Sequence, residues 1–341
     1  MTTSHEHDGS KPLLSFVVPV YNSQTTIRRC LDSIISQMDE SYEILCIDDG
    51  STDGSPAILD EYGKRYAHIS VMHVDNNGPS AARTLGIEAS TGQYVAFADS
   101  DDHYAAGRLM RIVRQLHDHA GHGVYVFGFL ERDTRDAEPW EHRPLDHCGE
   151  VVPLSDFLDA YSRPENIALM NYLFNKVYRA DIAKSASFDP AVSLGEDALY
   201  NYACYASCDD VLISPVSAYV YENCSTSSLS RGEGLDHVWA AYRRILDAIG
   251  PLLAGRGLEG RLRLLQRSYT IGALHEYMRK RDIAEQDHRT VVDILAYMRA
   301  NGRSWTLDGV GAFDVLLIRC VGMGGVPLGL LLCEGKRLLR R

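Results

Sequence analysis

Tyr94-Val95-Ala96-Phe97-Ala98-Asp99-Ser100-Asp101-Asp102 is the stretch on which the reading of this chain turns. A short apolar run of β type ends abruptly in the carboxylates Asp99, Asp101 and Asp102. In an open α/β sheet, ligands bind in the crevice beyond the carboxyl ends of the strands, so acids delivered there stand where a substrate is held. Mg²⁺ or Mn²⁺ takes one or two protein carboxylates and completes its shell with water and substrate phosphates. The pattern therefore points to a divalent cation bridging an acidic strand end to an anionic phosphate ligand. The competing reading is a solvated turn capping a helix that begins near Gly107, because Asp is a good N-cap. Acids crowded this closely repel one another without a cation, which favours the ligand site.

On the N-terminal side of this strand, the chain alternates strand and helix in the way that predicts a mostly parallel, doubly wound α/β sheet. Leu14 to Val20 is a continuous apolar run. Ser23 reads as an N-cap, and Ile27, Leu31, Ile34 and Ile35 recur at helical spacing up to Gln37. A second strand, Glu43 to Asp48, ends in the turn Asp48-Asp49-Gly50-Ser51-Thr52-Asp53-Gly54, again with acids at its C-terminal end. A helix from Ser55 to Arg65, a strand from Ser70 to Val74 and a helix opened by Asn76-Asn77-Gly78-Pro79-Ser80 follow. Beyond the acidic strand come a helix from Gly107 to His119 and a strand from Val124 to Phe129. Prolines and charges from Ala137 to Leu154 break the pattern. Helical stretches are read over Leu154–Tyr161 and Ile167–Tyr178, and short strands over Val211–Ile213 and Val216–Tyr221. Leu194 to Tyr200 enters a helix with Glu196 and Asp197 in its first turn, where the helix dipole also favours acids. Strand character is lost from Leu235 onward. The expected organisation is a tail over residues 1–12, an α/β domain over 13–231 and a helical appendage over 232–341.

At 45% hydrophobic and 23% charged, the composition is that of ordinary globular material. The net charge of −12 argues against a nucleic-acid partner, which calls for a basic face. An acidic protein that binds phosphate must also bring local cations to the site. The eight cysteines form no Cys-x-x-Cys pair, and Cys204 and Cys208, four apart, read as core packing on one helical face. Met1 to Pro12 is polar and shows no secretory signal, so the cytoplasm is the expected compartment.

Several of these segments resemble, in order and spacing, the family 2 glycosyltransferases of GT-A fold, bacterial surface-polysaccharide type. They are Pro19-Val20-Tyr21-Asn22, Asp48 to Asp53, Ala82-Arg83, Phe97 to Asp102 and Gly195-Glu196-Asp197, with Asn175-Lys176-Val177-Tyr178-Arg179 in addition. The likeness runs from about Leu14 to Arg231. It implies that Asp49 binds the uracil of a UDP-sugar, with Pro19 and Tyr21 lining the base pocket, and that Arg83 points to the nucleotide as one of the needed cations. Asp99 and Asp101 are similar to the family's two metal-binding acids, the first also reaching ribose, and Ser100 between them belongs to the nucleotide-sugar site. The cofactor implied is Mn²⁺ or Mg²⁺. Asp197 resembles the base that deprotonates an acceptor hydroxyl as it attacks the anomeric carbon with inversion, and Glu196 beside it orients or caps. Tyr200 and Tyr202, on the same helix, are read as core packing ahead of acceptor stacking.

A basic residue is common in the family near Glu222. An acid there is unfavourable beside a diphosphate unless it faces away, so Lys176, Ser227 and Arg231 are the remaining candidates around the following loop. The Gln-x-x-Arg-Trp pattern of processive synthases is absent, which points to transfer of a single sugar to a saccharide or lipid-linked oligosaccharide acceptor. Two alternatives stand beside this: a nucleotidyltransferase, which wants a glycine-rich, lysine-containing loop after the first strand, and a nucleotide-sugar-binding protein of weak activity. From Phe313 onward the chain is strongly apolar and carries five Lys or Arg against two Asp or Glu. Either it lies in an anionic membrane interface, placing the protein peripherally at the inner face of the plasma membrane, or it packs as a helix on the catalytic domain.

Overall fold

The computed structural model describes residues 11–38, 42–133, 138–144, 146–223, 234–280 and 282–338. The chain forms two compact units. The first comprises Met1–Phe157, Ala168–Ala191 and Glu196–Ser225; the second comprises Leu158–Ile167, Val192–Gly195 and Thr226–Arg341. The two short segments that join the second unit from within the expected α/β domain have no counterpart in the sequence reading.

The first unit opens with β1 (Leu14–Val20), α1 (Ile27–Ile35), β2 (Tyr42–Asp49), α2 (Ser55–Arg65), β3 (Ile69–Val74), α3 (Pro79–Ala89) and β4 (Tyr94–Phe97). There follow β5 (His103–Tyr104), α4 (Leu109–Asp118), β6 (Val124–Arg132), β7 (Trp140–His142) and β8 (Val151–Pro153). Next come α5 (Leu154–Tyr161), α6 (Ile167–Asn171), β9 (Lys176–Arg179), α7 (Ala180–Ser185), α8 (Glu196–Ala206) and β10 (Asp210–Glu222). The sheet order is β3-β2-β1-β4-β9-β6-β10-β5. The four leading strands are parallel, as are β6 and β10. Their near-continuous Val, Ile and Leu runs suit strands buried on both faces; Leu14, Phe16, Val17 and Val18 of β1 are all fully buried.

The structure departs from the sequence reading at four places. Ile167–Tyr178 is not one helix: α6 stops at Asn171, and Lys176–Arg179 is a strand inserted antiparallel between β4 and β6. The ladder to both neighbours outweighs the helical spacing of its apolar residues. Val211–Ile213 and Val216–Tyr221 are one strand, β10, with a register irregularity between Ile213 and Ser217. The residues after the acids form β5, antiparallel to β10, and the next helix starts at Leu109 rather than Gly107. Ser23 does not cap α1 with its side chain; its carbonyl accepts from Thr26 and Ile27, and the helix starts at Ile27.

The second unit holds α9 (Leu235–Ala254), α10 (Glu259–Arg279), α11 (Glu285–Asn301), α12 (Ala312–Gly324) and α13 (Val326–Leu338). Leu235, Trp239, Leu274, Val291, Leu295 and Met298 form its core, which α12 and α13 close with Leu317, Ile318, Val321 and Cys333. The C-terminal segment packs on the other helices of this unit. Among the described residues no helix is long and apolar enough to cross a membrane.

Candidate active site

Register sets the site. Val20 pairs with Asp48 and Val17 with Phe97, so β4 stops short of β1 and the acidic loop that follows it runs on towards the edge where β1 and β2 end. The loops leaving those ends are clasped by short polar side chains. Thr52 N donates to Asn22 Oδ1 at 2.8 Å, Gly54 N to Gln24 Oε1 at 2.8 Å and Ser23 N to Ser55 Oγ at 2.8 Å. The Ser23 and Ser100 hydroxyls lie 2.6 Å apart, which ties the β1 loop to the acidic loop. Gly50 turns the chain with φ +70°, and a Cβ there would lie 2.8 Å from Asn76 N.

Asp49 is buried, and each of its oxygens accepts a backbone amide: Asn77 N at 2.8 Å on Oδ1 and Gly78 N at 2.9 Å on Oδ2. It therefore fixes the loop that opens α3, and each carboxylate oxygen keeps a further lone pair for a ligand N–H. Tyr21 is 52% exposed and Pro19 half-buried, both at the same edge.

From α3, Arg83 reaches into the middle of the acids with its side chain only 7% exposed. Its Nη2 lies 3.0 Å from Asp99 Oδ1, and its Nη1 lies 3.3 Å from Asp197 Oδ1 and 3.5 Å from Glu196 Oε1. The Phe188 ring lies 5.8 Å from the guanidinium, and Nε has no partner among the described residues. Burial works against the arginine's charge, yet Asp197, Asp99 and Glu196 outweigh it and raise its pKa. For Asp197 the balance falls the other way. Burial pushes it up, Arg83 pulls it down, Glu196 and Asp99 push again, and it rises to about 7.

Asp101 is raised to about 6, by burial and by the neighbouring Asp99. Its carboxylate has no ion pair among the described residues, although Arg29 Nη2 donates to its backbone carbonyl. Two strand-end acids, one of them held above the ordinary carboxylate range by burial and by the other, fit a divalent cation that takes its remaining ligands from a diphosphate. Among the described residues no cluster of three or more His, Cys, Asp or Glu is arranged to hold a metal by itself. Asp102 faces inward: it is 1% exposed, its Oδ1 accepts Glu222 N at 2.8 Å, and burial and the two other acids raise its pKa.

Glu222 is buried and paired with two arginines, Arg29 Nη1 and Arg132 Nη1, each at 3.2 Å. The unfavourable charge expected there is thereby neutralised within the protein. Lys176 is fully buried and donates to Leu169 O at 2.9 Å, Asn175 Oδ1 at 2.8 Å and Tyr172 O, and its charge bears on Asp197. Burial lowers its pKa well below the usual value. Tyr200 and Tyr202 are both buried: Tyr200 stacks on Phe188 at 4.3 Å, and Tyr202 donates to Asn171 Oδ1. Ser227 and Arg231 lie outside the described residues. The sequence reading missed Arg29, Arg132 and Tyr219, whose hydroxyl accepts Asp99 N at 2.9 Å. Arg29 lies close after the first strand's end, within reach of the strand-end rule, whereas Arg132 and Tyr219 arrive by sheet pairing alone.

The acids at the strand ends and the ion cluster on Arg83 stand where an open α/β sheet binds its ligand, and such a gathering of perturbed carboxylates is the arrangement of an enzyme. Sequence comparison makes the class specific. The model of Glycosyl transferase family 2 matches residues 15–185, half of the chain, and the protein belongs to that glycosyltransferase family. It is 29% identical over 216 residues to the uncharacterized glycosyltransferase EpsJ of Bacillus subtilis, covering 62% of this chain and 61% of that one. It is 44% identical over 219 residues to the poly(ribitol-phosphate) beta-glucosyltransferase of Bacillus spizizenii, covering 61% of this chain and 32% of that one. The chain thus spans less than two thirds of these relatives' length. The fold is similar to that of S. aureus TarS 1-349 in complex with UDP-GlcNAc, with a TM-score of 0.70 and 19% identity over 95% of this chain and 91% of that one.

Removing one partner of a buried ionic cluster costs about 3–5 kcal/mol. Arg83→Gln is therefore expected to lower the unfolding free energy by an amount of that order. Without the guanidinium the pKa of Asp197 rises further in the folded state. The fold then binds more protons than the unfolded chain between about pH 4 and the raised value, so its deficit shrinks as pH falls. Denaturant unfolding at pH 8 and pH 5 checks this: the loss is larger at pH 8.

Proposed function

We propose that this glycosyltransferase moves a single sugar from a UDP-sugar to a hydroxyl of a saccharide or lipid-linked saccharide acceptor, with inversion, in the synthesis of a bacterial surface polymer. The observation that carries this reading is the convergence of Asp99, Glu196 and Asp197 on Arg83. It brings the strand-end acid of the donor side and the candidate base within the span of one guanidinium. The UDP-GlcNAc complex of TarS supports a UDP-sugar donor, and the name of the Bacillus spizizenii relative supports glycosyl transfer.

In this reading Asp49, Pro19 and Tyr21 receive the uracil, while Ser100 and Asp99 face the ribose and diphosphate. Asp99 and Asp101 would hold Mn²⁺ or Mg²⁺, which when bound neutralises the diphosphate leaving group. Asp197 accepts the proton of the attacking hydroxyl. Held at about 7, it combines a sizeable ionised fraction with enough basicity to take that proton. Glu196 and Arg83 orient it.

The exposed apolar residues of α12 and α13, Leu316, Met323, Leu328, Leu331 and Leu338, support a peripheral membrane contact. On each helix their spacing forms a stripe, with Arg319, Lys336 and Arg337 on the same helices.

Asp197→Asn keeps the shape and removes the proton acceptor. Transfer is expected to fall by at least about 10²-fold with UDP affinity near wild type, and Glu196→Gln to lose less. The wild-type kcat is expected to rise with pH through a limb near 7. A flat profile from pH 5 to 8, or near-normal transfer by Asp197→Asn, would require another base.

Titration calorimetry of UDP with Mn²⁺ and in excess EDTA tests the metal role. Affinity is expected to collapse without metal, and Asp101→Ala to abolish that dependence. Equal affinity under both conditions would remove the cation from the site.

Substituting Leu328 and Leu331 by Ser is expected to weaken co-sedimentation with anionic phosphatidylglycerol vesicles, as is high salt, while UDP binding persists. Vesicle binding that ignores both changes would exclude this surface.

A further inference from the structure

The aromatic residues that the sequence pointed to on α8 are buried, yet a different aromatic array leads from the donor side towards the surface. Phe129 and Glu131 of β6 stand in register with Tyr219 and Tyr221 of β10, so the two pairs follow each other along one sheet face. Tyr219 is the inner end, its hydroxyl on Asp99 N. Phe174 stacks on Tyr219 with centroids 4.5 Å apart, and Tyr172 stacks on Phe174 at 4.9 Å. Tyr221 lies 5.4 Å from Phe174 and 5.8 Å from Tyr172. Unlike the buried Tyr219 and Phe174, Tyr172 and Tyr221 are half-buried, and among the described residues no hydrogen bond is recorded for either hydroxyl. The Tyr172 backbone is anchored on α8, where Asn201 Nδ2 donates to its carbonyl at 3.2 Å. Asn201 lies one helical turn beyond Asp197, on the same face.

We propose that Tyr172 and Tyr221 form the platform on which a neutral pyranose of the acceptor lies, its hydroxyl directed to Asp197. The proposal rests on the reading of Asp197 as the base of a glycosyl transfer. The C–H face of a pyranose packs against the negative face of an aromatic ring, and the free phenol groups hydrogen-bond to its hydroxyls. Glu131 adds acceptors at the same place. It pairs with Tyr221 across the ladder and is held there by His142 Nε2 at 2.8 Å and by Asn223 Nδ2 at 2.9 Å. An anionic carboxylate beside the platform selects a neutral sugar ring over a polyol phosphate, because like charges oppose binding. Asp197 and Glu131 also bear on Tyr172 directly: after burial, they are the charges that raise its phenol to about 12.

The test uses the full chain with Mn²⁺. Wild-type hydrolysis of UDP-glucose, UDP-galactose and UDP-GlcNAc is measured first, and the active donor is then offered p-nitrophenyl glucoside, galactoside and N-acetylglucosaminide beside ribitol phosphate. Transfer to a glycoside with none to ribitol phosphate is expected. Tyr172→Ala and Tyr221→Ala are each expected to raise the KM for the glycoside about tenfold, the scale of one aromatic contact, with UDP affinity within twofold. Tyr221→Phe is expected to keep most of the stacking and so raise KM less. Saturation-transfer NMR with the glycoside, in the presence of UDP, is expected to mark its C–H protons and to lose the effect in the alanine variants. An unchanged glycoside KM in both alanine variants, or preference for ribitol phosphate, would overturn the platform while leaving donor hydrolysis, and with it the transferase reading, intact. Absence of hydrolysis and transfer with every donor would overturn the UDP-sugar reading itself.

Discussion

A buried guanidinium among three carboxylates is the constraint on which the rest of the site depends. Arg83 comes from α3, Asp99 from the end of β4, and Glu196 and Asp197 from the first turn of α8. The guanidinium alone at that depth would lose hydration without recompense, whereas the acids around it are part-buried. Together with the arginine they form one cluster that fixes α8 against the strand-end loops and sets the electrostatic state of Asp197. The helix dipole and Arg83 both favour its ionised form; burial and its acidic neighbours outweigh them. In the proposed reaction, a carboxylate left near neutrality in this way suits proton abstraction better than one held at the ordinary carboxylate value.

Charge organisation follows the same logic around the acidic loop. The chain is acidic overall, yet the crevice gathers Arg83, Arg29 and Arg132 from three separate elements. Glu222, which looked unfavourable beside a diphosphate, is the carboxylate that positions two of them. Arg29 is 44% exposed at its side chain and remains accessible at the rim, next to the loop that carries Asp101.

In the helical unit, packing and exposure divide the apolar C-terminal stretch between two faces. Gly325, with φ +77°, separates α12 from α13, so the apolar C-terminal stretch becomes two short helices. One face of each completes a core with Leu295 and Met298, and the other leaves leucines and Met323 in solvent.

Much of the first unit was legible because its cues are local. Continuous Val and Ile runs mark β1 and β2, helical spacing marks α1, Gly78-Pro79 starts α3, and acids at strand ends mark the crevice. The placing of Asp49, Asp99 and Asp101 at the same edge of the sheet follows from parallel strands, which alternation of strand and helix already implies. What the sequence by itself left undecided involves partners distant along the chain. Lys176–Arg179 became a strand because β4 and β6 offered it a ladder on both sides. Tyr200 and Tyr202 went to the core, while Tyr172, just after α6, and Tyr221 of β10 stayed half-buried, because tertiary packing decides which rings are covered. Arg83 was readable as a nearby cation but not as the centre of three acids, since two of them lie more than a hundred residues further on. Local chemistry determined which residue types stand at the strand ends; only the folded chain decided which charges meet, and thereby which carboxylate is held close to neutrality.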